Sequence, residues 1–554
     1  MDASMAGYLS LFPSILWMAR PWISDVIFRK IFWGYMFGFL AVCCLALTSD
    51  LEIFPIWGHR VDSAILPYLQ YPAEAFASVS SSPLTLLVCL FLVFFIGHAL
   101  IWKYWAKQKE IFLKTSPFWH VGSLILTAAF IIPIRGGFQL APMNQSSVYF
   151  SSERILNQAA ENGIWVLMQS IVEGGSENLD REYVKDDSDI VNTFFQGLKQ
   201  TATHTDSVLR NHQPNIVLIV WESLTSKVVG SLGGKFPSTP NLDKMAKDGI
   251  LFTRMYASGD RSDKGLAALL ASVPALGKIS IMAHPNLSSR LQFLNQNLKA
   301  KGYNTGFLYG GDLEFANMKS FMLNAGFDKL IGKSDFPKEM YNSKWGAHDE
   351  ALFQRQIQEA SSLKQPFFQT LFTLTSHEPF EVPGIENKAN ESVEVLFQRS
   401  HRYTDRCLAD WNLMASKQDW WKNTLVIVVA DHGHALPGLS GEIDTMKFKI
   451  PMVWYGPALA KKGIQIPVLG SQTDLFKTLM VQLGDSVHFP ETSNDLLSSP
   501  VSPFAFYSFR NGSVFLQGNK QNQVLDPEGA TGAASRYRQW VYSRFYQNKR
   551  SKNP

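Results

Sequence analysis

Cysteine is scarce in this chain, with four in 554 residues. Cys43, Cys44 and Cys89 fall in long apolar runs, and Cys407 stands alone in the remainder. A disulfide framework is therefore excluded from the larger part of the protein. Charge is scarce too. Asp, Glu, Lys and Arg make up 18% of the residues, and the net charge is +4. Nucleic-acid-binding domains concentrate basic residues far more than this, so no nucleic acid partner is expected. No internal repeat or low-complexity tract is found, which argues against a solenoid or a tail-like chain. No cleavable leader is evident.

What the chain has is length and apolar residues, unevenly placed. Its length exceeds one ordinary core, so two or more units are expected. Ile31–Thr48, Pro83–Trp102 and Ser116–Ile134 each run without an Asp, Glu, Lys or Arg. Each is long enough to cross a hydrocarbon core of roughly 30 Å as a helix. Buried helices of a soluble core are the competing reading, and three such runs crowded near the start argue against it. Tyr8–Ala19 is shorter and contains Pro13. It is a fourth span, or the remnant of one if the chain begins upstream.

Lys and Arg in short loops set orientation. Lys103, Lys107, Lys109 and Lys114 place one loop on the cytoplasmic side, and Arg20, Arg29 and Lys30 agree. The loop Ser49–Ser82 has only Arg60 and should lie outside. By alternation, everything after Arg135 is on the outer side. The expected organisation is a transmembrane helical region of three to four spans (1–135), then a connector with helices (136–213). A large outer domain (214–510) and a C-terminal extension (511–554) complete the chain. In the connector, Asn157–Ile171 reads as a helix and Glu173–Asp189 as an acidic loop. The basic tail from Arg536 to Lys552 reads as a solvated terminus, with contact to lipid phosphates as the alternative.

From Pro214 onward strands alternate with helices. Strands are expected at Asn215–Val220, Thr305–Tyr309, Phe367–Leu374 and Leu425–Ala430. Helices are expected at Leu242–Asp248 and Leu291–Lys301. Short continuous apolar runs suit an α/β domain with a mostly parallel sheet flanked by helices on both faces. The residues at the strand ends are informative. "NIVLIVWES" leads to Glu222 and "YGGD" to Asp312. "TLTSHEPF" offers His377, and "LVIVVADHGH" offers Asp431, His432 and His434. Any one of these reads more simply as a cap or a turn. Four at one edge read as a site, because ligands of open α/β sheets bind beyond the carboxyl ends of the strands.

Asp, Glu and His with a hydroxyl suit Mn²⁺, Mg²⁺ or Zn²⁺. Asp431 and His432 can both reach one ion where the chain turns through Gly433. The stretch "GDRSDKG", residues 259–265, puts Ser262 at the start of a helix expected over Lys264–Ala271. Taken alone, it has Ser262 capping that helix. Beside a metal, the same hydroxyl becomes an activated nucleophile. The helix's amino end favours a phosphoryl group, and Arg261 and Lys264 add positive charge.

In this order, "IVLIVWES", "GDRSDKGLAALLASVP", "TLTSHEPF" and "VVADHGHALPG" resemble the lipoteichoic acid synthase (phosphoglycerol transferase) branch of the alkaline phosphatase/sulfatase superfamily. The resemblance covers about Pro214–Gly484, and spans before an outer catalytic domain are also that branch's layout. It implies an alkaline phosphatase-like domain on the outer side of a bacterial cytoplasmic membrane. It implies that Glu222, Ser262, Asp431 and His432 bind one Mn²⁺ or Mg²⁺, with Ser262 in place of the family's Thr nucleophile. His377 would hold the substrate head group. "GFLYGGDLEFAN" and "KWGAHDEALF" resemble the head-group segments, which makes Asp312 a substrate contact. Trp345 and Asp349 line the pocket on this reading, although a packed Trp explains Trp345 equally well. "FKIPMVWYGP" and "SQTDLFKTL" match the closing segments. One departure stands out. The phosphoglycerol-binding Trp and Arg expected near Asp312 are absent, and Phe315, Ala316, Asn317 and Met318 occupy that place.

The leading functional reading is a metal-dependent transferase. It moves a phospholipid head group such as phosphoglycerol through a covalent Ser intermediate to an outer glycan or lipid, with His377 or His434 handling protons. The alternative is a hydrolase of the same fold, a phosphodiesterase or a sulfatase. Sulfatases convert a Cys or Ser within C/S-x-P-x-R, and the residues after Ser262 include neither that Pro nor that Arg. A non-catalytic membrane sensor is the third reading. It would be expected to have lost a ligand, and all four candidates are present.

Overall fold

The computed structural model describes residues 1–57, 60–65, 83–106, 117–139, 141–176, 188–199, 205–278, 280–388, 390–441, 443–485, 487–498, 503–509, 512–518, 520–525 and 532–546. These form two compact units, Met1–Asn178 and Leu179–Pro554.

In the first unit, the Ile31–Thr48 run lies inside helix Asp25–Trp57, and the next run forms helix Leu84–Ala106. Among the described residues, these are the two helices long and apolar enough to cross a membrane. Leu86, Val93 and Leu100 of the second are exposed. A helix of a water-soluble core would turn such a stripe inward. The third run, Ser116–Ile134, is not one helix but two, Pro117–Ala129 and Ile131–Arg135. Pro133 has no N–H for the Ala129 carbonyl, so the ladder is interrupted there. Pro13 has the same effect inside helix Asp2–Met18. It frees the Leu9 carbonyl, which accepts a hydrogen bond from the Tyr35 hydroxyl at 3.0 Å. The helix expected over Asn157–Ile171 is likewise two, Arg154–Ala160 and Gly163–Ser176. Asn162 separates them, its side chain accepting the Trp165 N–H at 2.9 Å as a cap does. Lys107, Lys109, Lys114, most of Glu173–Asp189 and the end of the basic tail lie outside the described residues.

The second unit is built on eight strands. In chain order they are β1 (Asn215–Trp221), β2 (Ile250–Tyr256), β3 (Asn304–Tyr309), β4 (Lys329–Ile331), β5 (Phe367–Phe372), β6 (Thr424–Ala430), β7 (Lys449–Tyr455) and β8 (Ile464–Ser471). Across the sheet the order is β4-β3-β5-β1-β6-β7-β2-β8. All run parallel except β7. β1, β5 and β6 are buried at every residue, as strands covered on both faces are. Each fully buried Val, Leu or Ile contributes roughly 1.5–3 kcal/mol, so these runs carry no alternation and tolerate no charge. β7 and β8 escape a sequence reading because Pro451 and Pro467 sit inside them, where proline argues against a strand.

A small antiparallel sheet comes next, β9 (Phe504–Phe509), β10 (Gly512–Gln517) and β11 (Lys520–Leu525). The expected boundary at residue 510 therefore falls inside the β9–β10 hairpin. Nor is the segment beyond it an appendage. Helix Ala533–Val541 packs on helix Ser188–Leu198, with the Phe195 and Trp540 rings stacked 3.4 Å apart. Arg538, expected in a solvated basic tail, is buried. Both helices belong to the second unit's core, one drawn from the expected connector and one from the expected extension.

Trp540→Ala should therefore cost the second unit roughly 3–5 kcal/mol, as removal of a buried ring does. Denaturant titration of a 188–546 fragment measures this. An unchanged midpoint would show that the helix pair is not part of the core.

Candidate active site and metal centre

β1, β2, β3, β5 and β6 run in one direction, so their carboxyl ends share an edge. β1 and β6 are direct neighbours, and Trp221 pairs with Ala430. The next residues, Glu222 and Asp431, thus leave the sheet side by side, and His432 comes directly after. Ligand atoms of these three lie within 4.8 Å of one another, and all three residues are buried.

Short hydrogen bonds fix them. The Ser223 N–H donates to Asp431 Oδ1 at 2.7 Å, and Ser223 Oγ donates to Glu222 Oε1 at 2.8 Å. The His432 N–H donates to the same Asp431 Oδ1 at 2.7 Å. His432 Nδ1 lies 2.8 Å from the Gly433 carbonyl, which can only accept, so Nδ1 carries the hydrogen. In the neutral ring Nε2 then holds the lone pair, 3.5 Å from both Glu222 Oε1 and Asp431 Oδ2.

The electrostatics are strained. Burial pushes the Asp431 carboxyl up, and the Glu222 charge pushes it further. Burial opposes charge on Glu222 too, but His432, His377 and the Ser223 hydroxyl outweigh it and hold that carboxyl low. For His432, burial opposes the imidazolium, and the two carboxylates overcome it. Among the described residues Asp431 Oδ2 is buried without a hydrogen-bond partner, with His432 Nε2 standing off at 3.5 Å. An orphaned buried carboxylate oxygen is costly, and a cation removes the cost. Two carboxylates and an imidazole suit Mn²⁺, Mg²⁺ or Zn²⁺. An Nδ1–H held by a carbonyl is also how metal-binding imidazoles are oriented. The residues present therefore fit a divalent ion.

Ser262 is the first residue of helix Ser262–Ala271. Arg261 occupies the cap position without a capping side-chain bond, and within the first turn the Asp263 carboxylate accepts the Lys264 N–H at 3.0 Å. The Ser262 hydroxyl donates instead to Glu222 Oε2 at 3.2 Å. Gly265 permits this. A Cβ at that position would stand 1.7 Å from the Asp431 carbonyl oxygen, so the helix docks on the β6 end only through glycine.

A cavity of about 380 Å³ opens on this edge, lined among others by Glu222, Arg261, Ser262, His377, His432 and His434. The His377 ring lies 4.4 Å from Trp345, which in turn meets Phe315 at 5.6 Å. His434 stacks on Phe397 at 4.6 Å, and burial holds it neutral. Four expected contacts do not reach the cavity lining, and one of them, Trp345, packs against His377 instead. Lys264 is buried, its amine bonded to Asp260 at 3.0 Å and to the Gly277 carbonyl, so it braces the loop. Asp312 accepts the Glu314 N–H at 2.9 Å and closes its own turn. Asp349 accepts the Leu374 N–H at 2.7 Å and braces the end of β5. Conversely, Asp260, Phe380 and Lys447 line the cavity without being expected there. Nothing in the sequence marks Lys447. It arrives because antiparallel β7 starts at the edge where the others end. Ser223, the last residue of "IVLIVWES", carries no signal of its own beyond standing next to Glu222.

Residues 214–485 match the family model described as Sulfatase. This region belongs to the sulfatase family. The chain is 24% identical over 323 residues to "Lipoteichoic acid synthase-like YvgJ" of Bacillus subtilis, covering 54% of this chain and 52% of that protein. It is 25% identical over 312 residues to "Phosphoglycerol transferase I" of Xanthomonas campestris, covering 52% of this chain and 44% of that protein. The chain thus spans about half the length of the curated relatives it matches. Among solved structures, an alkaline phosphatase superfamily protein from Vibrio parahaemolyticus superposes with a TM-score of 0.57 at 24% identity, covering 68% of this chain and 100% of that one. The lipoteichoic acid synthase LtaP from Listeria monocytogenes gives 0.54 at 17% identity, covering 65% and 98%. These two likenesses establish the alkaline phosphatase-like fold of the sulfatase-family region.

Asp431→Asn keeps the shape of the site and removes the charge a cation needs. Mn²⁺ affinity, read by calorimetry, should fall at least tenfold. Gly265→Ala should weaken it comparably and cost about 1–3 kcal/mol of stability through overpacking. Wild-type affinity in Asp431→Asn would remove this residue from the metal site.

Proposed function

We propose that this chain is a membrane-bound phosphotransferase. It moves a phospholipid-derived phosphoryl head group, by way of an ester on Ser262, to a hydroxyl of an extracytoplasmic glycan or lipid. The observation that carries this reading is the Ser262 hydroxyl, free of any capping role and turned onto Glu222 within the metal-ligand set. Relatives named as a phosphoglycerol transferase and a lipoteichoic acid synthase-like protein support the reaction class. The candidate spans and the lysines around residues 103–114 support a catalytic domain outside the cytoplasmic membrane.

A divalent cation, when bound, lowers the pKa of the serine hydroxyl and offsets charge on the phosphoryl oxygens. Glu222 orients Ser262 Oγ through the 3.2 Å bond. The amino end of helix Ser262–Ala271 presents N–H groups to the phosphoryl oxygens. In the first half-reaction the Ser262 Oγ–phosphorus bond forms and the bond to the diacylglycerol oxygen breaks. That oxygen takes up the proton that Ser262 Oγ gives up. The His377 Nδ1 hydrogen is held by the Glu378 carbonyl at 3.0 Å, which leaves Nε2 to exchange it. His434 is less suited, because its Nδ1 already accepts the Leu436 N–H at 3.0 Å. In the second half-reaction an acceptor hydroxyl attacks phosphorus, and Ser262 Oγ leaves and regains its proton. Sulfatase chemistry is disfavoured, since Lys264 and Leu266 stand where that motif needs Pro and Arg.

The test is diacylglycerol release from labelled phosphatidylglycerol by the full chain with Mn²⁺. Ser262→Ala should lower turnover at least a thousandfold while changing stability by no more than about 1 kcal/mol. Ser262→Thr keeps the hydroxyl and should retain measurable turnover. Label appearing as free glycerol phosphate even with glycan present would make water the acceptor. Near-wild-type turnover in Ser262→Ala would end the nucleophile assignment.

A further inference from the structure

The loop between β6 and β7 does two things at once. Ala435 near its start and Lys447 near its end line the catalytic cavity. Between them the loop pushes apolar side chains into solvent. Leu439 is 79% exposed, Ile443 50% and Met446 39%.

Leu439 is also held in the left-handed region at φ 35. A bulky residue is uncommon there, and strain of this kind persists only where the surroundings enforce it. Here they do. The buried Lys227 amine donates to the Ala435 and Pro437 carbonyls at 2.6 and 3.1 Å, clamping the base of the loop from beneath. The Ser440 N–H closes back on the Ala435 carbonyl at 2.9 Å. The Gly438 N–H is held by Glu394 at 2.8 Å. That last bond sets the loop beside the first turn of helix Val393–Ala415, where Val393 and Val395 are exposed as well. The fold thus spends a buried ammonium and a strained leucine to display apolar groups that it does not pack. Exposed apolar residues gathered on one loop and on the adjoining helix turn point to an interaction site.

We propose that Leu439, Ile443 and Met446 form a bilayer-contact tip that seats the mouth of the cavity on the lipid surface. This rests on the phospholipid-donor reading. The occupant is fixed by continuity: the segment carrying the apolar tip also forms the cavity wall, and the donor's head group has to enter that cavity while its acyl chains remain in lipid. Aliphatic side chains projecting from a short clamped loop suit shallow insertion among lipid chains.

The test uses the full chain, stripped of its four native cysteines and reconstituted in vesicles of phosphatidylglycerol and phosphatidylcholine. A spin label at Leu439→Cys should be more accessible to dissolved oxygen than to a nickel chelate. A label at Lys462→Cys, beyond the opposite edge of the sheet, should show the reverse. Independently, Leu439→Ser with Ile443→Ser should lower turnover of bilayer phosphatidylglycerol at least tenfold and leave a monomeric short-chain phosphatidylglycerol unaffected. A water-exposed label at 439, or one immobilised yet open to the chelate as in a protein contact, overturns the proposal while turnover keeps the donor reading alive. A lipid-embedded label without turnover of either donor upholds the contact and ends the donor reading.

Discussion

Glu222 and Asp431 are two carboxylates buried side by side where β1 and β6 leave the sheet. Like charges this close, in so little water, repel one another and raise the protonation tendency of at least one of them, which is what burial and Glu222 do to Asp431. The sheet cannot avoid the arrangement. Its register sets the two residues abreast, and its covered faces remove solvent. The neighbouring backbone is shaped to the same end. Ser223 takes the left-handed conformation at φ 58, and from it reaches both carboxylates, one with its N–H and one with its hydroxyl. A non-glycine residue keeps such a conformation only when its surroundings hold it there. A divalent ion turns the repulsion into shared attraction, so the strain reads as preparation for a cation.

Ser262 depends on the same strand end. The Asp431 carbonyl oxygen accepts a hydrogen bond from Gln472 Nε2 at 2.6 Å, and the same amide also holds the Ala430 carbonyl at 2.7 Å. Gln472 Oε1 accepts the Ser258 N–H at 2.8 Å, just past β2 and ahead of the Ser262 helix. One side chain therefore ties the end of β6 to the loop that delivers the serine. Gly265 sets how closely that helix approaches. This gives physical content to the segments "GDRSDKG" and "SQTDLFKTL", whose resemblance to the family is otherwise only a matter of spelling.

Legibility from sequence divides along the same line. β1, β3, β5 and β6 are continuous apolar runs with a polar stop, and each stop names a candidate because a parallel sheet delivers its carboxyl ends to one edge. β7 and β8 are hidden by Pro451 and Pro467, and with β7 goes Lys447. Lys264, Asp312 and Asp349 carry the right chemistry at the right address, yet local donors and acceptors claim each of them. A sequence records that an acid comes after a strand. It does not record that a backbone N–H two residues on, or at the end of the next strand, satisfies that acid. The Phe195–Trp540 stack is invisible for another reason, since the two rings come from distant segments and nothing local pairs them.

The wall of the cavity that carries Phe315 and His377 is organised differently. "YGGD" and "KWGAHD" meet backbone to backbone. A Cβ at Gly310 would lie 2.1 Å from the Ala347 carbonyl oxygen, and one at Gly346 would lie 2.1 Å from that of Gly310. This contact brings Trp345 to His377 and Phe315. Beside it, Ala316 and Asn317 are consecutive left-handed residues, at φ 51 and 58. This is where the family's Trp and Arg were expected, and the small Ala316 lines the cavity instead. A ring or a guanidinium placed at Ala316 or Asn317 would have to adopt this left-handed backbone, at a cost of roughly 1–3 kcal/mol. The metal edge is fixed by main-chain register and glycine contacts, whereas the opposing wall is set by side chains on a rebuilt turn. Likeness to the phosphoglycerol relatives therefore bears on the proposed phosphoryl chemistry, and on that proposal the group attached to the phosphate would meet Phe315 and His377, with Trp345 packed against both.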